Sequence, residues 1–293
     1  MEASIIIRTL NEARWLPHLL DAIRTQEFDG HPAEIVVVDS GSTDNTLTIA
    51  EMYQCRVVHI TKERFTFGRS LNMGCEAARG KALVFISGHC IPVGNRWLAD
   101  LILPLQLGQA EYVYGRQEGY GPTKYSENQL FKKYYPLVSC VPKADFFCNN
   151  ANAAILKSTW SQAQFSEELT GLEDMELAKR LLGSGRKIGY VAESSVFHIH
   201  DETWIKVRNR YEREAVALQS IMPEVHVSIW DFVRYFSAGV VFDFCRALDE
   251  GVFLKHAREI VLFRLMQFWG TYRGNNEHRQ MSSKRKETYF YPR

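Results

Sequence analysis

The chain has no run approaching the about 18 uncharged apolar residues that a membrane-spanning helix needs. It has almost no net charge, and no Cys-x-x-Cys pair. The first absence excludes an integral helical membrane protein, leaving a soluble chain or one that rests on a membrane surface. The formal charge of +1 over 293 residues excludes a generic nucleic-acid binder that works by neutralising phosphates. The six cysteines, Cys55, Cys75, Cys90, Cys140, Cys148 and Cys245, are scattered. They form neither a zinc ribbon nor a disulfide framework and read as reduced thiols of a cytoplasmic protein. The N-terminal residues carry no basic region followed by a long apolar one, so no secretory signal is expected. Internal repeats and low-complexity tracts are also missing.

With 46% hydrophobic and 24% charged residues, the chain can bury one substantial core. Short β-branched runs recur at 4–9, 34–39, 56–60, 82–87 and 112–115. Amphipathic segments lie between them, such as Trp15-Leu16-Leu19-Leu20-Ile23 and Leu47-Ile49-Ala50-Met52, with the spacing of helices that cover a sheet. The alternation predicts an α/β fold with a mainly parallel sheet flanked by helices, whose ligands bind at the carboxyl ends of the strands. Polar residues gather at three of those ends: Arg8 to Glu12, Asp39 to Asp44, and Ser87-Gly88-His89. Past Asp201 the alternation stops, and 205–222, 229–248 and 252–269 read as helices. The expected division is therefore an α/β domain over 1–204 and a helical extension over 205–293. Aromatic-rich stretches with interspersed Arg234, Arg246, Lys255, Arg258 and Arg264 suit that extension to an anionic membrane surface, to packing on the core, or to a second subunit in a homo-oligomer. The polar, basic segment from Gly274 onward is expected to be less ordered.

The run Glu34-Ile35-Val36-Val37-Val38-Asp39-Ser40-Gly41-Ser42-Thr43-Asp44 is a buried strand ending in a carboxylate and a glycine turn. Alone, it is either a helix-capping corner or a carboxylate that accepts the imide N–H of a pyrimidine base. Together with Thr9, Asn11 and Glu12, and with Gly41, Ser42, Thr43 and Asp44, it resembles glycosyltransferase family 2, the inverting nucleotide-sugar transferases of the GT-A fold. The likeness continues through Phe67-Gly68-Arg69-Ser70-Leu71-Asn72-Met73-Gly74 and Ala77-Ala78-Arg79-Gly80. It extends to Phe165-Ser166-Glu167-Glu168 and Gly171-Leu172-Glu173-Asp174-Met175-Glu176-Leu177, covering roughly residues 3 to 201. Within the family, rhamnosyltransferase-like enzymes that build bacterial surface polysaccharides, such as O-antigen and capsule, are the most similar.

The resemblance implies that Thr9, Glu12, Asp39 and Ser87 bind the nucleotide, while Arg69 reaches its base or diphosphate. An ordinary salt bridge is the plain alternative for Arg69. Asp174 becomes the base that deprotonates the acceptor hydroxyl, with Glu173 beside it on the acceptor or sugar side; acids that merely favour a helix N-terminus are the plain alternative. Amides in the Asn149 to Ala154 patch, Asn150 and Asn152 above all, suit sugar hydroxyls, with turn chemistry as the plain alternative. The segment 112–148, containing Arg116-Gln117, is where sugar selectivity is expected. The family usually carries Asp-x-Asp after its fourth strand, where an acid ligates a divalent cation. Here Ser87-Gly88-His89 stands instead, and His89 falls at the metal-binding position.

His198 and His200 share a face if their strand is extended, so that either one joins His89 while the other supports it. Imidazole ligands favour Mn2+ over Mg2+. The open alternative is a metal-independent mechanism in which His89 donates to the diphosphate. The implied donor is a UDP-, dTDP- or GDP-sugar, and the acceptor a saccharide or lipid-linked saccharide. The contrasting reading is a catalytically silent nucleotide- or glycan-binding module. A nucleotidyltransferase is disfavoured because its glycine- and arginine-rich phosphate loop is missing near the first strand.

Overall fold

The computed structural model describes residues 2–28, 33–276 and 289–290. They form two compact units. The first comprises 1–118, 134–168 and 173–199, and the second 119–133, 169–172 and 200–293. The longest run of the second unit begins at residue 200. Two short excursions, 119–133 and 169–172, also belong with the helical unit, and hydrophobic periodicity carries no signal for them.

In the first unit, β1 (Ala3–Thr9), β2 (Glu34–Asp39), β3 (Arg56–His59) and β4 (Ala82–Ser87) are mutually parallel in the order β3-β2-β1-β4. Ile5, Ile6 and Ile7, Val36 and Val37, and Leu83, Val84 and Phe85 are all fully buried. These strands therefore read as unbroken apolar runs, as covered parallel strands do. Helix α1 (Leu16–Arg24) buries Leu16, Leu19, Leu20 and Ile23, one stripe at i, i+3, i+4, i+7. Helices α2 (Thr46–Met52) and α3 (Phe67–Ala77) complete the β/α alternation.

Beyond β4 the sheet turns antiparallel. After β5 (Cys90–Pro92) and α4 (Trp97–Gln106) come β6 (Tyr112–Gly119), β7 (Cys140–Lys143) and β8 (Asn152–Leu156). They are followed by α6 (Lys157–Gln162), α7 (Glu173–Gly183) and β9 (Ile188–His198), while α5 (Tyr125–Tyr134) lies mostly in the excursion between β6 and β7. Strand β8 runs against both β4 and β6, and β9 against β5 and β7. The complete nine-stranded sheet has the order β3-β2-β1-β4-β8-β6-β9-β5, with β7 on β9. It is mixed: the parallel half supplies the strand ends where the site residues gather, and the antiparallel half brings later residues back beside them.

The second unit contains α8 (Trp204–Ile221), α9 (Ile229–Asp249) and α10 (Phe253–Asn275). The segment expected to be less ordered lies largely outside the described residues. Gly270 and Gly274 let α10 approach α8 closely, because a Cβ on either would come within 2.4 Å of Arg208 O or 2.1 Å of Glu212 O. Among the described residues, no helix is long and apolar enough to cross a membrane.

Helices α9 and α10 share a buried ion pair, in which Arg264 donates through Nε and Nη2 to both oxygens of Asp243 at 2.7 and 2.8 Å. The two side chains are 5% and 0% exposed, so neither charge has water to fall back on. Arg264→Leu should therefore destabilise the chain by about 3–5 kcal/mol, whereas Asp243→Leu/Arg264→Leu should recover most of that loss. Chemical denaturation of the three proteins checks this; a double variant as unstable as the single one would contradict it.

Candidate active site

The turn after β2 is held by its own side chains. Asp39 Oδ2 accepts the main-chain N–H groups of Gly41 and Ser42 at 2.9 and 3.0 Å, and Asp39 Oδ1 accepts the Thr9 hydroxyl at 3.2 Å. Gly41 takes φ +96°, a conformation glycine adopts without a Cβ clash. The same turn reaches across to the loop after β1. Asn11 N–H donates to Ser42 Oγ, Asn11 Oδ1 accepts Thr43 N–H, Glu12 N–H donates to Thr46 Oγ1, and Ala13 N–H donates to Asp44 Oδ2. Much of the Asp-Ser-Gly-Ser-Thr-Asp motif thus fixes the backbone around Glu12.

The carboxylate of Glu12 meets His89. Its Oε1 lies 2.8 Å from His89 Nδ1, and since a carboxylate only accepts, that nitrogen carries a proton; in the neutral form of the ring the lone pair is on Nε2. The His89 ring stacks on that of His198, with centroids 5.2 Å apart and planes inclined by 22°. His198 Nδ1 lies 2.7 Å from Gln117 Oε1. Two imidazoles, each held by Nδ1 on an oxygen, would in their neutral form turn Nε2 into the donor, a set that suits a borderline divalent cation. Strand β9 ends at His198, two residues before His200. His200 belongs to the second unit, where its Nδ1 meets Glu127 at 2.6 Å.

Glu173 and Asp174 open α7 and are 4% and 7% exposed. Their negative charge suits a helix N-terminus. Asp174 Oδ2 accepts Asn150 N–H at 2.9 Å, and its Oδ1 accepts Met175 N–H at 2.8 Å. Burial first, and then the neighbouring Glu173 carboxylate, push Asp174 up to about 7, against the opposing hydrogen bonds and the Arg8 charge. Arg8, at the end of β1, donates to Glu173 at 3.2 Å and lies over the Phe67 ring. The sequence singled out Glu173 and Asp174 but not Arg8, whose place at a strand end was the only signal.

The other residues singled out from sequence divide by how their polar atoms are used. The Asn150 side-chain oxygen accepts the Tyr112 hydroxyl at 2.6 Å. Asn152 is fully buried; its oxygen accepts Trp97 Nε1–H and its amide donates to the carbonyls of Arg116 and Ser194, so it ties β8 to its surroundings. Arg69 donates to Glu167 at 2.6 Å and to Arg64 O at 2.9 Å, the plain salt-bridge arrangement. Ser87 sits at the end of β4 opposite Arg8 in the β1–β4 register. Within the first unit, the structure thus groups Glu12, His89 and His198 together, and Arg8, Asn150, Glu173 and Asp174 together.

A family model described as Glycosyl transferase family 2 matches residues 4–158. The O-antigen chain rhamnosyltransferase RfbN of Salmonella typhimurium is 25% identical over 224 residues, covering 72% of this chain and 70% of that protein. A second O-antigen chain rhamnosyltransferase, WbaN of Salmonella anatum, is 27% identical over 198 residues, covering 64% of this chain and 62% of its own length. The fold is similar to that of a mannosyltransferase, PcManGT from Pyrobaculum calidifontis, solved in complex with GDP-Man and Mn2+. That likeness has a TM-score of 0.63 at 16% identity and covers 93% of this chain and 86% of that one. S. aureus TarS 1-349 matches with a TM-score of 0.55 at 17% identity, over 97% and 95% of the two chains. With the family model covering more than half of the sequence, the chain belongs to glycosyl transferase family 2 and is a glycosyltransferase.

Proposed function

We propose that this enzyme transfers a sugar with inversion from a UDP-, dTDP- or GDP-sugar to a saccharide or lipid-linked saccharide during bacterial surface polysaccharide synthesis. The observation that carries the reading is Asp174, buried beside Glu173 and raised to about 7. A base of that strength is half ionised near neutral pH, where it both exists as carboxylate and gains from taking a proton. Asp174 takes the proton of the acceptor hydroxyl as that oxygen attacks the anomeric carbon opposite the departing nucleoside diphosphate. Its two backbone N–H partners fix the plane of the carboxylate while that happens. Thr9, Asp39 and Ser87, at neighbouring strand ends, are assigned to the nucleotide. A silent binding module has no use for a buried carboxylate held against its preference for water.

A divalent cation, when bound, supplies positive charge to the leaving diphosphate. His89 and His198 are the residues that would hold it, and imidazole donors favour Mn2+; the structurally similar PcManGT was solved in complex with that ion. Glu12 then acts by holding His89 in the tautomer that offers Nε2. The relatives that make O-antigen chains support a deoxyhexose donor and a glycan acceptor.

Peripheral attachment to the inner face of the plasma membrane completes the proposal. Helix α9 exposes Trp230, Val241, Phe242 and Leu248, with Arg234 and Arg246 among them. Flotation with anionic liposomes should carry the protein upward, and Trp230→Ser/Leu248→Ser should reduce the floated fraction severalfold. Equal flotation of the two proteins, or none of either, would remove the α9 attachment.

For the reaction itself, proton NMR of the first-formed product should show the anomeric configuration opposite to that of the donor. Retained configuration would overturn the mechanism. The acid limb of kcat/KM should titrate near 7, because activity needs the ionised base and is lost as pH falls through that value. Glu173→Gln removes a like charge and should move the limb to lower pH; an unmoved limb would separate it from Asp174.

A further inference from the structure

The hydrogen bonds behind His198 have a direction that can be read from the main chain outward. Asn149 Oδ1 accepts Ala151 N–H at 2.9 Å, and a main-chain N–H only donates, so this atom is the oxygen of the amide. That oxygen also accepts Gln117 Nε2–H at 3.0 Å. Gln117 therefore turns its amide nitrogen toward Asn149 and its oxygen toward His198. The oxygen lies 2.7 Å from His198 Nδ1, and an amide oxygen only accepts, so Nδ1 carries the proton. Gln117 is 1% exposed, leaving it no room to reverse its amide in water. One fixed backbone N–H thus sets two side-chain amides and, through them, the tautomer of an imidazole.

We propose that Gln117 and Asn149 are positioning residues that hold His198 as the Nδ1–H tautomer, so that its Nε2 lone pair is the one offered to a divalent cation. The inference rests on the cation reading given above. It also supplies a matched pair, because Glu12 does for His89 what Gln117 does for His198. The two supports differ in charge. Glu12 is an anion and strengthens its imidazole as a donor, whereas Gln117 is neutral and orients without adding charge. Asn149 stands one step further back; it forms a turn over its own backbone, the local geometry that favours asparagine there.

The test titrates Mn2+ alone into the full-length chain, with free Mn2+ read by electron paramagnetic resonance. The ring nitrogens of His198 are followed in parallel by 15N NMR. Gln117→Leu should weaken Mn2+ binding roughly tenfold or more and should remove the Nδ1–H signature of His198. Asn149→Leu should act in the same direction. Asn149→Asp keeps an oxygen for both N–H donors and should retain near-native affinity and tautomer, which separates positioning from a general loss of folding.

His198→Ala serves as the reference for the cation reading. If it leaves Mn2+ affinity unchanged, that reading fails, while the 15N signature of Gln117→Leu still decides whether Gln117 sets the tautomer. An unchanged signature in Gln117→Leu overturns the proposal. So does unchanged Mn2+ affinity in Gln117→Leu when His198→Ala weakens it, and so does an Asn149→Asp variant that behaves like Asn149→Leu.

Discussion

The site depends on a carboxylate kept out of water beside another carboxylate. Asp174 and Glu173 begin α7 together, and both are buried. An isolated buried charge would be prohibitive, so the surroundings lower its cost by degrees: two main-chain N–H groups bind Asp174 directly, and Arg8 holds Glu173. What remains is a group raised from its ordinary 3.8 to about 7. Its linkage to stability has the opposite sign to that of a salt-bridged aspartate. The folded state binds the proton more tightly than the unfolded chain, so Asp174 weakens folding as pH rises from about 4 toward 7. Stability is given up over the pH range in which the proposed base ionises.

The dipeptide Asn149-Asn150 touches both residue groups. The Asn150 main chain donates to Asp174, the proposed base, and the Asn149 side chain leads through Gln117 to His198. In the sequence these asparagines read as a polar patch suited to sugar hydroxyls, with turn chemistry as the plain alternative. The Asn149 side chain makes the turn bond, accepting Ala151 N–H just before β8. The histidine at 89 follows a similar logic. An imidazole that is to present one particular nitrogen needs a partner to fix its tautomer, and Glu12 on the loop after β1 provides one.

The parallel half of the sheet was legible because doubly covered strands leave continuous apolar runs, as Ile5 to Ile7 and Leu83 to Phe85 do. The three long helices at the C-terminal end were equally plain from their length. Strands β5 and β7 were not, being only three and four residues long and carrying no period of their own. Around the candidate site, motif order drew attention to Asp174, His89 and His198. It was silent on how the side chains spend their hydrogen bonds. Arg69 and Asn152 could bind ligand by residue type, yet the fold engages them with Glu167 and with Trp97, partners 98 and 55 residues away. Such long-range pairing leaves no trace in local pattern, and for the same reason Arg8 was marked only as a polar residue at a strand end, without its partner Glu173.

The central claim is that Asp174 removes the acceptor proton. It is tested most directly by comparing Asp174→Asn with the native enzyme in two measurements on one preparation: nucleoside diphosphate binding by calorimetry and sugar transfer in a single turnover. The asparagine is nearly isosteric and can still accept one of the two N–H groups, but it cannot take a proton. The account predicts near-native nucleotide affinity with transfer reduced by at least about a thousandfold, at the upper part of the range for losing a general base. Transfer within tenfold of the native rate would contradict it.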